Sequence, residues 1–134
     1  MLNDLTNLDD FESFSSTYQD VFIEHPLSVY LQSLLQQQNL SKAEVIKKSN
    51  LDRVYGYQIF NGTRMPTREK LLQVAFGLAL DVDATQDLLK ISGMAPLYTK
   101  KKRDAAILFC LSKRFDFDHA QDFLYQLNLK LIGE

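Results

Sequence analysis

Residues 41–62 read Ser41-Lys42-Ala43-Glu44-Val45-Ile46-Lys47-Lys48-Ser49-Asn50-Leu51-Asp52-Arg53-Val54-Tyr55-Gly56-Tyr57-Gln58-Ile59-Phe60-Asn61-Gly62. The stretch holds two short segments, each with its own start and stop. Ser41, with Glu44 three positions on, forms a capping box that can satisfy two orphan amides, so a helix is expected over Lys42 to Ser49. Asn50 then stands in the left-handed closing position that Gly usually fills. Asp52 is the N-cap of a second helix over about Arg53 to Phe60, and Asn61-Gly62 stops it. An Asn-Gly pair can signal a β-hairpin, but its flanks lack alternation, so a helix-closing loop is the expectation.

Outward from this stretch, apolar residues recur at spacings of three and four, and no long segment alternates with period two. The chain is therefore expected to be all-α. Before the central stretch, a helix over Leu27 to Gln38 is stopped by Asn39. After it, Pro66 and the cap Thr67 open a helix to about Leu78, and Asp81 caps another to Ile91, ended by Ser92-Gly93. Two more run from about Lys100 to Lys113 and, behind Asp116, from Phe117 to Leu127. At the start, Phe11, Phe14, Tyr18, Val21 and Phe22 form an aromatic stripe at helical spacing, which predicts an amphipathic helix over about Asp9 to Ile23 that needs something to cover it. The expected organisation is a leader over 1–26, a main domain over 27–95 and a helical hairpin over 96–134 that completes the core or dimerises.

An internal echo lies at an offset of 35 positions: Asp81, Asp83, Gln86, Asp87 and Leu89 recur as Asp116, Asp118, Gln121, Asp122 and Leu124, and Arg68 recurs as Arg103. Leu80, Val82 and Leu88 are matched by Phe115, Phe117 and Phe123. Two similar helical hairpins would produce this pattern, although two copies are too few for a solenoid.

The 134 residues, 46% apolar and 24% charged, suit one globular core without metal or disulfide staples. The single cysteine, Cys110, cannot pair within the chain and has apolar neighbours, which points to a buried thiol in a reducing, cytoplasmic setting. No apolar run approaches the roughly 18 residues of a membrane span, and Met1 to Asp10 is acidic where a signal peptide would be basic. The net charge of -2 hides its distribution. Residues 1–26 hold six acids and no Lys or Arg, 27–80 hold seven bases against three acids, and 100–114 hold six bases against Asp104. A basic body behind an acidic leader can bind a polyanion, with the leader weakening or yielding to that binding.

Two capped helices joined by a tight turn within 22 residues have the spacing of a helix-turn-helix. The run Leu40 to Arg53, continued through Gln58-Ile59-Phe60-Asn61-Gly62-Thr63-Arg64-Met65-Pro66-Thr67, resembles the Xre-like, Cro and phage-repressor family. The resemblance covers roughly residues 27–92 and implies a five-helix repressor-type domain. It also implies a sequence-specific transcriptional regulator whose second motif helix enters the major groove. The positions matching base contacts are Arg53, Val54 and Gln58, with Tyr57 on the same arc. Arg53 suits guanine O6 and N7, Gln58 adenine N6 and N7, and Val54 a thymine methyl. Ser41, Lys42, Thr63 and Arg64 match backbone-contacting positions. Double-stranded DNA and a second copy of the chain are the implied partners, with Ile107, Leu111, Phe123, Leu124 and Leu127 available for a dimer surface.

Two departures stand out: the family usually has Ala where Ile46 stands and Val or Ile where Gly56 stands. These positions face each other, so the pair reads as a compensating swap that conserves volume. Phe60 stands where Glu is common, and Asp52 lies close to the expected phosphate path. Helix-turn-helix domains can also lose DNA and serve as protein adaptors, which gives a second reading through the aromatic leader or the Tyr55-Gly56-Tyr57 face. The basic run Lys100 to Arg103, at a helix start, opposes the helix dipole and is open to a second phosphate contact or to simple solvation. Catalysis finds no support: His25 and His119 have no recognisable partner, and there is no phosphate-binding loop, metal-ligand spacing or nucleophile elbow. The acids Asp81, Asp83, Asp116 and Asp118 are explained by capping. No cofactor or metal is expected.

Overall fold

The computed structural model describes residues 26–134, and every regular element among them is an α-helix. They are α1 (Pro26–Gln38), α2 (Lys42–Lys48), α3 (Arg53–Asn61), α4 (Arg68–Gly77), α5 (Val82–Ile91), α6 (Lys102–Ser112) and α7 (Phe117–Gln126). The expected helix over Asp9 to Ile23 lies outside the described residues. Ser41, Asp52, Thr67, Asp81 and Asp116 each cap a helix through the side chain, accepting from the amide three positions on. The box at α2 is reciprocal, with Ser41 N–H donating to Glu44 Oε1 at 3.1 Å.

All seven described helices close in one way. A residue with positive φ (Asn39, Asn50, Gly62, Ala79, Gly93, Arg114 and Asn128) is followed by an amide that donates back five positions, as Leu51 does to Ile46 and Leu80 to Ala75. This is the Schellman closure. Ala79 and Arg114 are the unexpected members, because a Cβ in this conformation costs roughly 1–2 kcal/mol. Their equivalence is explained by the repeat.

The echo at offset 35 is a structural duplication, with α4–α5 and residues 94–98 as one copy and α6–α7 and residues 129–133 as the other. Gln86 accepts from the Leu97 amide at 2.8 Å and donates to its carbonyl at 2.9 Å; Gln121 does the same with Ile132 at 2.8 and 2.9 Å. Arg68 donates to the carbonyls of Ala95 and Pro96, and Arg103 to those of Lys130 and Leu131. The acids then cross over. Asp104 of the second copy binds Arg68 at 3.3 Å and the Tyr98 amide at 2.9 Å. Glu69 of the first binds Arg103 through both oxygens, at 2.6 and 2.9 Å, and the Gly133 amide at 3.0 Å. Such reciprocity is what a two-fold relation produces; a translational array would pass contacts one way only. Buried side chains of both copies join one hydrophobic cluster with Leu27, Leu31, Val45 and Phe60.

α1 and α2 pack on the first copy, α2 against α4 and α1 against α5, while α3 packs on α1 and α2. Gly77 explains the close approach of α2: a Cβ there would stand 1.9 Å from Ser49 Oγ and 2.7 Å from the Val45 carbonyl. Gln73, buried beside it, donates to the carbonyls of Ser49 and Asn50 at 2.9 and 3.2 Å. At the equivalent places the second copy has Ser112 and Leu108, which offer neither the space nor the hydrogen bonds. Ile107, Leu111 and Leu124, expected as available for a dimer surface, are buried inside the fold instead. Among the described residues, no helix is long and apolar enough to cross a membrane.

Candidate nucleic-acid interface

α3 is held from beneath by Ile59 and Phe60, both fully buried, and by the contact between Gly56 and Ile46. A Cβ at Gly56 would meet the two γ carbons of Ile46 at 2.7 and 2.8 Å, so the small residue on α3 and the large one on α2 occupy one shared volume. The swap read from the sequence is thus a direct contact. It sets how closely α3 lies on α2 and hence which side chains α3 turns outward.

The outward arc begins with Arg53 and Val54, both exposed, Val54 to 65%. A β-branched apolar side chain open to this degree contributes nothing to the core beneath it. Tyr57 and Gln58 are half-buried, Tyr57 packing against the core while the Arg53 guanidinium stands 6.0 Å from its ring centre. The four residues expected to read base edges therefore share one surface on the first two turns of α3.

The residues expected at the phosphate backbone lie around that surface, and each is engaged locally. Lys42 Nζ donates to Asn61 Oδ1 at 2.9 Å, tying the start of α2 to the end of α3. An ammonium has three donors, so two remain for an anion. Arg64 Nε donates to Gln58 Oε1 at 2.9 Å while its guanidinium lies 5.2 Å from the Tyr55 ring centre. This contact orients Gln58 and leaves its amide N–H groups and one carbonyl lone pair for an edge such as adenine's. Thr63 donates to the Gln58 carbonyl at 3.3 Å, and the Ser41 hydroxyl is taken up by Glu44 on both sides. The Ser41 bonds hold the Glu44 carboxyl below its usual range, so the box carries a full negative charge at the start of α2. That charge favours the helix through its dipole and opposes an approaching phosphate.

Asn61 as the partner of Lys42, and Tyr55 as the seat for Arg64, are not legible from the sequence: both depend on where the end of α3 falls relative to α2. Away from this surface, a groove of about 840 Å³ lies between the end of α2 and the α6–α7 turn, lined among others by Leu40, Lys47, Lys48, Phe76, Arg114 and Phe115. Among the described residues, no three His, Cys, Asp or Glu side chains come together as a metal-ligand set. No protein-family model, curated protein or solved structure matches this chain.

Proposed function

We propose that this protein is a cytoplasmic, sequence-specific DNA-binding regulator, in which α1–α5 act as a repressor-type helix-turn-helix domain and α3 reads the major groove. The observation that carries the proposal is the surface just described: Arg53, Val54, Tyr57 and Gln58 on one arc of α3, with Lys42 and Arg64 on its flanks. Few surfaces combine a bidentate donor, an oriented amide and an exposed aliphatic side chain, which are the groups that tell guanine, adenine and thymine apart. The flanking cations supply the charge neutralisation that gives non-specific affinity and register. By the same resemblance, the working form is a homodimer on near-palindromic half-sites.

The test is selection from random duplex DNA by the purified full chain, followed by a salt titration on the selected sequence. An enriched, near-palindromic motif whose affinity falls steeply with salt is the expected outcome, and the slope counts the phosphates engaged. Failure to enrich any sequence would refute the reading and leave the fold as a protein adaptor.

A further inference from the structure

The two-fold relation between the hairpins sets up a comparison within one molecule. On the first copy, α2 packs on α4 and α1 on α5, and residues Val74, Leu78 and Leu88 are fully buried. The equivalent face of the second copy carries Phe109, Lys113 and Phe123, and none of the described helices covers it. Phe109 is 42% exposed, and it stacks on Phe123 at 5.2 Å between ring centres and meets Phe115 edge-on at 6.1 Å. Aromatic rings gathered in this way at an open surface mark a binding face rather than scattered exposure. A second set of helices like α1–α3 does not fit there, because Ser112 and Leu108 replace the Gly77 and Gln73 that dock α2.

The rim of the face carries four cations, Lys47, Lys48, Lys113 and Arg114, against the three acids Glu44, Asp116 and Asp118. Lys113 Nζ stands 5.7 Å from the Phe109 ring centre, Arg114 follows it, and through Phe115 the face runs into the groove that Lys47 and Lys48 line. Glu44, Asp116 and Asp118 also line that groove; Glu44 and Asp116 are hydrogen-bonded as the capping-box acid and the N-cap of α7 and keep their charge. None of Lys47, Lys48, Lys113 and Arg114 is ion-paired among the described residues.

We propose that the occupant is the chain's own residues 9–23, seated as an amphipathic helix on the Phe109–Phe115–Phe123 face with its acids toward Lys47, Lys48, Lys113 and Arg114. The segment carries an aromatic stripe of Phe11, Phe14, Tyr18 and Phe22, and residues 1–25 hold six acids and no Lys or Arg. Its length also fits. A 15-residue helix spans about 22 Å, and α1, 13 residues long, spans about 20 Å. Folding back along α1 from Pro26 would bring Phe11 and Phe14 level with Gln38, which lines the groove beside Phe115. The first hairpin is then covered by α1 and α2 and the second by residues 9–23.

The experiment is hydrogen exchange with mass-spectrometric readout on the full chain, following amides of residues 9–23 and comparing them with a free peptide of that sequence. The expected result is exchange slowed by about tenfold or more, independent of protein concentration. The protection is lost both in Phe109→Ser/Phe123→Ser and in Phe14→Ser/Tyr18→Ser. The second pair leaves the helical body untouched, so its result stands even where the first pair weakens the fold. Exchange at the free-peptide rate, protection that survives either pair, or protection that disappears on dilution together with a halving of the mass would each overturn the proposal, the last by assigning the face to a second copy.

Discussion

Replacing Ile46 with Ala and Gly56 with Val, singly and together, tests the contact that seats α3, the helix proposed to read DNA. Ile46 is 3% exposed, and its γ carbons stand 2.7 and 2.8 Å from the place a Gly56 Cβ would take. Ile46→Ala removes three buried carbons and opens a cavity under α3, a change that costs about 2–5 kcal/mol in packed cores. Gly56→Val adds three carbons into space already filled by a branch point, where the neighbour cannot swing aside, and overpacking of this kind costs about 1–3 kcal/mol. In the double variant the carbon count is restored and the Val methyl groups enter the volume Ile46 vacated. The two changes therefore offset each other by about 2 kcal/mol, within the range of couplings between touching residues. The assay is urea unfolding of the full chain, followed by far-ultraviolet circular dichroism, with the coupling taken from the four midpoints and slopes. Costs that add to within about 0.5 kcal/mol would refute the reasoning, since they would mean that the two positions relax independently.

Charge reversal of the proposed interface, Arg53→Glu with Lys42→Glu, is expected to lower affinity for a selected duplex by at least about a hundredfold with helicity unchanged, read by fluorescence anisotropy. For Glu69, burial raises the carboxyl pKa, but the hydrogen bonds from Arg103 and the Gly133 amide outweigh it and hold the pKa below the usual value. A group with its pKa lowered by folding stabilises the fold above its unfolded pKa and loses that contribution as pH falls through the folded one. Glu69→Gln should therefore flatten the acid limb of the stability profile below about pH 4.5 in urea titrations, and an unchanged limb would count against the crossed pair. Cys110 is fully buried, and burial pushes its thiol up to about 11, so iodoacetamide should label it only at the rate of unfolding and rapidly in urea. Prompt labelling of the native chain would contradict the packing.

What was legible in the sequence was written in local signals. Ser41 with Glu44, Asp52, Thr67, Asp81 and Asp116 announce helix starts because a cap acts within three residues of itself, and all five are found as read. The facing of Ile46 and Gly56 was legible because the two depart in opposite directions from the pattern of the family that the sequence resembles. The start of α6 was less so: a helix from Lys100 begins at Lys102, and Lys101 at its N-cap makes no side-chain hydrogen bond, so no local signal marked the boundary. Nor were Ala79 and Arg114 legible as left-handed residues, since neither type favours that conformation. Both are set by the Schellman bonds of Leu80 and Phe115, which the fold imposes from outside. The surface around α3 divides in the same way. The residues proposed to contact bases follow from position along one helix, whereas the bonds around them, Lys42 to Asn61 and Arg64 to Gln58, cross between elements or wrap round a loop.

The duplication shows how a symmetric scaffold can carry an asymmetric function. The features the two hairpins share are those that hold each to its own tail, the Gln clamps and the arginines on the tail carbonyls, and those that hold the two to each other, the crossed acids Glu69 and Asp104. The features that differ lie on the outer faces, and they decide what can dock. Gly77 admits α2 to within contact of the α4 backbone, and Gln73 satisfies the two carbonyls left at the end of α2, so only the first hairpin can seat the motif that presents α3. Giving α6 the first hairpin's pair, Ser112→Gly with Leu108→Gln, would not recreate that seat, because the larger Phe109 and Lys113 still stand at the positions equivalent to the buried Val74 and Leu78. The reverse change is the sharper one. Gly77→Ser should detach α2 from α4 and weaken DNA binding without touching any residue of the reading surface, since its Cβ would fall 1.9 Å from Ser49 Oγ. A variant that bound a selected duplex as the parent does would mean that the seat of α2 is not what positions α3.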